Sequence, residues 1–108
     1  MNGAADRWVR LSKQLDAVTG ADRQLDADIA LAFRAPDAGY TGSIDACRSL
    51  FARCLPDCRL HLGHGASGVF PYASIRNDDT TVLAGAPTVP LAILRAMASM
   101  MRFKEPQE

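Results

Sequence analysis

Cys58-Arg59-Leu60-His61-Leu62, Val69-Phe70-Pro71-Tyr72-Ala73-Ser74-Ile75-Arg76 and Thr80-Thr81-Val82-Leu83-Ala84 are three short segments set apart by turn residues, and their reading decides the fold class. The first alternates apolar and polar side chains, the period of a strand with one buried face. Gly63-His64-Gly65-Ala66-Ser67-Gly68 follows as a glycine-rich turn. Asn77-Asp78-Asp79 separates the second segment from the third, and such side chains favour turns by bonding to their own backbone. Pro71 lacks an N–H donor, which places the second strand at an edge or a bulge. Segments this close in sequence predict a small antiparallel meander.

The flanking sequence is helical on both sides. Trp8, Leu11, Leu15 and Val18 recur on one helical face and predict a helix over residues 4–18, ended by Thr19-Gly20. Leu25, Ile29 and Phe33 predict a second helix over 21–34, with Thr19 and Asp22 at capping-box spacing and Pro36 as its stop. Ile44, Cys47, Phe51 and Cys54 form the stripe of a third helix over 42–55, capped by Thr41 or Ser43. A last helix starts near Thr88, an N-cap residue, with Pro90 in its first turn where no hydrogen bond is lost. Leu91, Leu94, Ala98 and Met101 make one stripe on it, and Ile93, Met97 and Met100 a second. So wide an apolar arc means either burial on most sides or contact with a partner chain. The expected class is α+β: a three-layer-like sandwich, order α-α-α-β-β-β-α, with a small antiparallel sheet covered by amphipathic helices. Residues 105–108 read as a frayed tail.

A chain of 108 residues supports one core and one domain. Hydrophobic residues are 48% and charged residues 22%, so wholesale disorder is excluded. Lys+Arg and Asp+Glu are both 12, which removes the cationic excess that marks a nucleic-acid binder. Zero net charge also gives little repulsion between copies, and a three-stranded sheet has two open edges. A homo-oligomer, a homodimer in the simplest case, is therefore expected. No apolar run reaches the roughly 20 residues of a bilayer-spanning helix. Neither that nor the polar N-terminus implies a membrane or an export signal. Three cysteines, an odd number, then read as reduced thiols in a cytosol.

Leu15-Asp16-Ala17-Val18-Thr19-Gly20-Ala21-Asp22-Arg23-Gln24-Leu25-Asp26-Ala27-Asp28-Ile29-Ala30 resembles the opening of small phage and prophage proteins of the phage ABA sandwich family. Tyr40-Thr41-Gly42-Ser43-Ile44-Asp45-Ala46 resembles the entry to their middle helix, and Thr88-Val89-Pro90-Leu91-Ala92-Ile93-Leu94-Arg95-Ala96 their closing helix. The family-like core would be residues 21–104, with 1–18 as an added N-terminal helix. Two features depart from the family pattern: Val89 separates the capping threonine from its proline, and the first strand lacks a tryptophan. The resemblance implies an α/β/α sandwich and a phage or prophage origin; with that origin the expected location is the cytoplasm of a host bacterial cell, and a host or virion protein is one expected partner. It implies no activity, because the matching positions are caps, turns and core residues.

Chemical motifs are weak by comparison. Gly63 to Gly68 matches G-x-G-x-x-G, but strand-like Val69-Phe70-Pro71-Tyr72 follows where a dinucleotide site needs a helix N-terminus. Cys54, Cys58, His61 and His64 lie close, yet their spacing is no standard zinc framework, and His61 and His64 point to opposite faces of a strand. Cys58 has no activating motif around it as a nucleophile. Asp22, Asp26 and Asp28 read as a solvated helix face whose charge suits the helix dipole. The order helix–strand–strand–strand–helix is also that of the double-stranded-RNA-binding fold. That fold grips phosphates with lysines at the start of its last helix, where this chain has Thr88-Val89-Pro90-Leu91 and no cation before Arg95. No catalytic residue, metal or cofactor is expected. Two functions remain. One is a non-enzymatic protein-binding accessory module, virion-associated or an inhibitor of a host defence. The other is a small-molecule or nucleotide-signal sequestering protein, holding an anion with Arg59, His61, Gly63, His64, Gly65, Ser67 and Arg76.

Overall fold

Alternation of buried and open side chains resolves in the computed structural model into three strands, β1 (Arg59–His64), β2 (Pro71–Arg76) and β3 (Thr81–Gly85). The structure describes residues 3–65 and 70–104, without the side chains of 3–5. The strands form one antiparallel sheet in the order β1-β2-β3. Leu60 lies opposite Ile75 and Leu62 opposite Ala73; Ile75 pairs on its other side with Val82, and Ala73 with Ala84. These residues make the inner face. Pro71 was expected at an edge or bulge, but it is the first residue of the central strand, the one ladder position there that tolerates a missing donor. Gly63 and His64 were expected in a turn and instead extend β1.

Four helices complete the α-α-α-β-β-β-α order: α1 (Gly3–Ala17), α2 (Arg23–Phe33), α3 (Ile44–Cys54) and α4 (Val89–Lys104). Asp22, not Thr19, caps α2, its carboxylate accepting from Leu25 N–H at 2.9 Å. Arg34 ends α2 in the left-handed conformation, φ 54°, without the glycine usual there. Ser43 caps α3 by accepting from Ala46 N–H, and Thr88 caps α4 by accepting from Leu91 N–H at 3.3 Å. The tail at 105–108 lies outside the described residues.

Packing is organised around α4. Leu91, Ala92, Ile93, Leu94, Ala96, Met97, Ala98 and Met100 are all buried within the single chain. One side of α4 faces β2 and β3; the others face α1, α3 and the 3-10 turn Tyr40–Gly42. The three layers therefore run sheet, α4, then α1 to α3. The resemblance implied a sheet between helices; here a helix is the middle layer, and among the described residues no helix covers the outer face of the sheet. Small residues Ala92, Ala96 and Ala98 let the neighbours approach α4 closely, while Trp8, Leu11 and Leu15 of α1 close its far side.

Thr41 is the buried polar residue of this core. Its hydroxyl accepts from Asp22 N–H and donates to Asp26 Oδ1, both at 2.7 Å, and its own N–H donates to the same carboxylate at 2.7 Å. Asp28 accepts from Gln14 and Gln24. The acidic trio is thus no solvated face: one residue caps, one locks the 3-10 turn to α2, and one ties α1 to α2. Thr41→Val keeps the shape and strands two partners, so it is expected to cost about 2 kcal/mol in urea unfolding, with Thr41→Ser close to wild type.

Candidate functional site

The outer face of the sheet is built by strand alternation. Because Pro71, Ala73 and Ile75 of β2 are buried, Tyr72, Ser74 and Arg76 point the other way. Register then places Arg59 opposite Arg76, His61 opposite Ser74, and Gly63 opposite Tyr72. On the other flank Thr81 faces Arg76, Leu83 faces Ser74, and Gly85 faces Tyr72. Two guanidinium groups, an imidazole and two hydroxyls so gather at one end of the face, with Tyr72 and Leu83 further along it. Leu83 is 69% exposed.

Arg59 and Arg76 are both exposed and stand directly across from each other. Among the described residues neither has a carboxylate within ion-pair distance, and like charges directly opposite in a sheet destabilise it. Around them lie two shallow grooves. One, about 420 Å³, is lined by Arg59, Leu60, His61, Ser74, Arg76 and Thr81. The other, about 450 Å³, lies by the β2–β3 turn, where Asp57, Asp78 and Asp79 join the two arginines. The turn itself is held by Asn77, whose side chain accepts from the N–H groups of Asp79 and Thr80.

Of the residues expected to hold an anion, Arg59, His61, Gly63 and Arg76 share this outer face. His64 has the opposite parity in β1 and belongs to the inner side, exposed at the strand end. Gly65 follows the strand and donates its N–H to Phe70 O at 3.2 Å. Ser67 lies outside the described residues. Gly63 is no open cradle: a Cβ there would come within 2.7 Å of the Tyr72 hydroxyl, so the missing side chain lets the ring cross it. Tyr72, Ser74, Thr81 and Leu83 were not singled out from the sequence. Their parity was legible in the alternation, but their meeting with Arg59 depends on the register across the 65–70 turn.

The thiols serve packing. Cys47 is fully buried against Tyr40 O at 3.0 Å, and burial, with the Asp26 charge adding to it, pushes its thiol up to about 12. Burial likewise raises Cys54, half-buried near Phe33 O. Cys58 is buried while His61 is exposed on the outer face, so they form no nucleophile–base pair. Among the described residues no three His, Cys, Asp or Glu side chains converge as metal ligands. A raised thiol pKa means the folded state keeps a proton that the unfolded state loses. Stability is then complete below the ordinary thiol value of 9.0 and falls as pH rises towards 12. Tyr40, raised chiefly by burial, adds in the same sense above 10.0. Unfolding free energies from urea titration are expected to drop across this window by up to about 1.4 kcal/mol per pH unit for Cys47, and Cys47→Ala should flatten the slope.

Among the described residues no helix is long and apolar enough to cross a membrane. No protein-family model, curated protein or solved structure matches the chain.

Proposed function

We propose that this chain is a non-catalytic protein-binding module, of the phage- or prophage-accessory kind that its family resemblance implies, and that it engages a host or virion protein through the outer face of its sheet. The observation that carries this reading is the directly opposed pair Arg59 and Arg76, held on a helix-free face without a carboxylate partner among the described residues. The nearby Asp57, Asp78 and Asp79 stay outside ion-pair distance, so both guanidinium groups are left to pair with an acidic surface on a partner. Leu83 and Tyr72 beside the pair supply apolar and aromatic contact area of the kind that interface centres use.

A photocrosslinking residue placed at Ser74, with one at exposed Arg48 on α3 as control, tests the reading in the cells that naturally make the protein. One defined adduct from position 74, absent from position 48 and lost in Arg59→Glu/Arg76→Glu, is the expected result. Adducts from both positions, or an adduct indifferent to the charge reversal, would overturn it.

The groove beside the same arginines favours a second reading, a small oxyanion held by Arg59, Arg76, Ser74 and Thr81. Native mass spectrometry of the protein from its own cell distinguishes the two. A stoichiometric small-molecule mass that Arg76→Glu abolishes would move the assignment to ligand sequestration.

A further inference from the structure

The two edges of the sheet are not alike. In an antiparallel ladder, residues alternate between those whose N–H and C=O face one neighbour and those that face the other. Gly65 N–H donates to Phe70 O, Asn77 N–H to Thr80 O, and Ala86 N–H to Pro71 O. Carried through the register, these bonds turn the main chain of Arg59, His61 and Gly63 towards β2. The N–H and C=O groups of Leu60, Leu62 and His64 are then left pointing off the free edge of β1. On the far edge the corresponding residues are Thr81, Leu83 and Gly85, and there Arg95 donates to Gly85 O at 3.0 Å, with α1 and α4 side chains alongside. The β3 edge is guarded. Among the described residues the β1 edge has no proline, no bulge and no helix packed on it, and none of its residues is fully buried although Leu60 and Leu62 face inward.

We infer that β1 pairs antiparallel with β1 of a second copy of this chain, with Leu62 on the two-fold axis, joining two sheets into one of six strands. The register is argued from self-complementarity, which a two-fold contact requires. With Leu62 opposite Leu62 of the second copy, Leu60 meets its His64, so every outward N–H and C=O of β1 finds a partner. On the outer face His61 stands opposite the second copy's Gly63, and Arg59 opposite its Gly65. On this face no cation meets a cation, and both Arg59 and His61 meet a glycine. The alternative with His61 on the axis sets two imidazoles face to face. The zero net charge of the chain leaves no long-range repulsion against this contact.

Sedimentation of the full chain from micromolar to high-micromolar concentration is expected to show a species of twice the chain mass. Leu62→Lys, which brings two ammonium groups together on the axis, should abolish it. Leu62→Pro removes an N–H that the intrachain ladder does not use, and should also give a monomer with unchanged helix content. Leu62→Cys provides a readout that does not depend on either variant folding. Hydrogen-bonded antiparallel pairs hold their Cα atoms about 5.5 Å apart, inside the disulfide range, so mild oxidation should link two copies through residue 62. Leu60→Cys, which carries the same native thiols, should not be linked. A wild-type chain that stays monomeric over the whole range, or linkage of the Leu60→Cys variant and not of Leu62→Cys, would overturn the proposal. Neither outcome touches the crosslinking test of the outer face.

Discussion

A chain lacking residues 1–18 is expected to show no cooperative unfolding transition. The family-like blocks begin after most of α1, which makes residues 21–104 look like a sufficient core. The packing argues otherwise. Trp8, Leu11 and Leu15 are buried, the Trp8 ring meets Phe33 at 4.8 Å and a tilt of 56°, and α1 closes the side of α4 that the sheet does not reach. Burying those three side chains stabilises by about 1.5–3 kcal/mol each, roughly 5–9 kcal/mol together. That is comparable with the whole stability of an ordinary domain, about 5–15 kcal/mol. Removing residues 1–18 also opens α4 to water and takes away two of the three carbonyl groups that Arg95 binds, those of Leu15 and Val18. Near-ultraviolet circular dichroism and urea titration of the truncated chain should show lost tertiary signal and a broad, shallow transition. A sharp transition close to that of the full chain would refute this account. Trp8→Ala tests the same contact with the chain length kept, and should cost about 3–5 kcal/mol.

Arg95→Met is expected to cost about 3 kcal/mol, unusually large for a partly exposed cation. Its guanidinium donates from Nε and a terminal nitrogen to Leu15 O, at 3.2 and 2.9 Å, and to Val18 O at 3.3 Å. The other terminal nitrogen donates to Gly85 O, and Asp16 lies 3.5 Å from Nε. The last turn of α1 has no basic residue of its own, so Arg95 is the cation at the negative end of that helix. Methionine keeps the aliphatic stem and leaves the carbonyls without their donor. Arg95→Lys should recover only part of the loss, because an ammonium cannot bridge three carbonyls that a planar fork spans. Urea midpoints of the two variants decide the matter; a loss below about 1 kcal/mol for Arg95→Met would show that water replaces the guanidinium freely.

The same residue illustrates what can be read from one sequence. Arg95 is legible as a cation on the last helix, and its distance from Thr88 argues against a phosphate grip. Two of its carbonyl partners, Leu15 and Val18, lie about eighty residues away at the end of α1, and no periodicity encodes that meeting. Helices, strands and their order follow from local signals: the stripe of α1, the alternation in 58–62, the Thr88 cap before Pro90. What local signals do not encode is which element becomes the centre. The wide arc on α4 allowed either deep burial or a partner, and the packing of both its stripes within one chain decides for burial. Thr41 shows a similar limit. It was a candidate cap by residue type, yet a 3-10 turn before α3 turns its hydroxyl to Asp26, leaving the cap to Ser43. At the candidate site, Arg59, His61 and Arg76 could be named as residues, but their neighbours Ser74 and Thr81 follow only from strand register.

The central position of α4 has a consequence for synthesis. Every element that α4 packs against precedes it in the chain, so while the ribosome is still upstream of residue 89 those elements have no middle to assemble on. Inner-face side chains such as Ile75 and Val82, and the side of α1 that packs on α4, stay uncovered until α4 emerges. The helix then has to join partners from as far back as α1 to as near as β3 at once, and the α1 contact is a docking of high sequence separation that folds slowly compared with local contacts. Birth of this protein is therefore a waiting period followed by a single collapse, and its exposure to chaperones and proteases is concentrated before the last helix arrives.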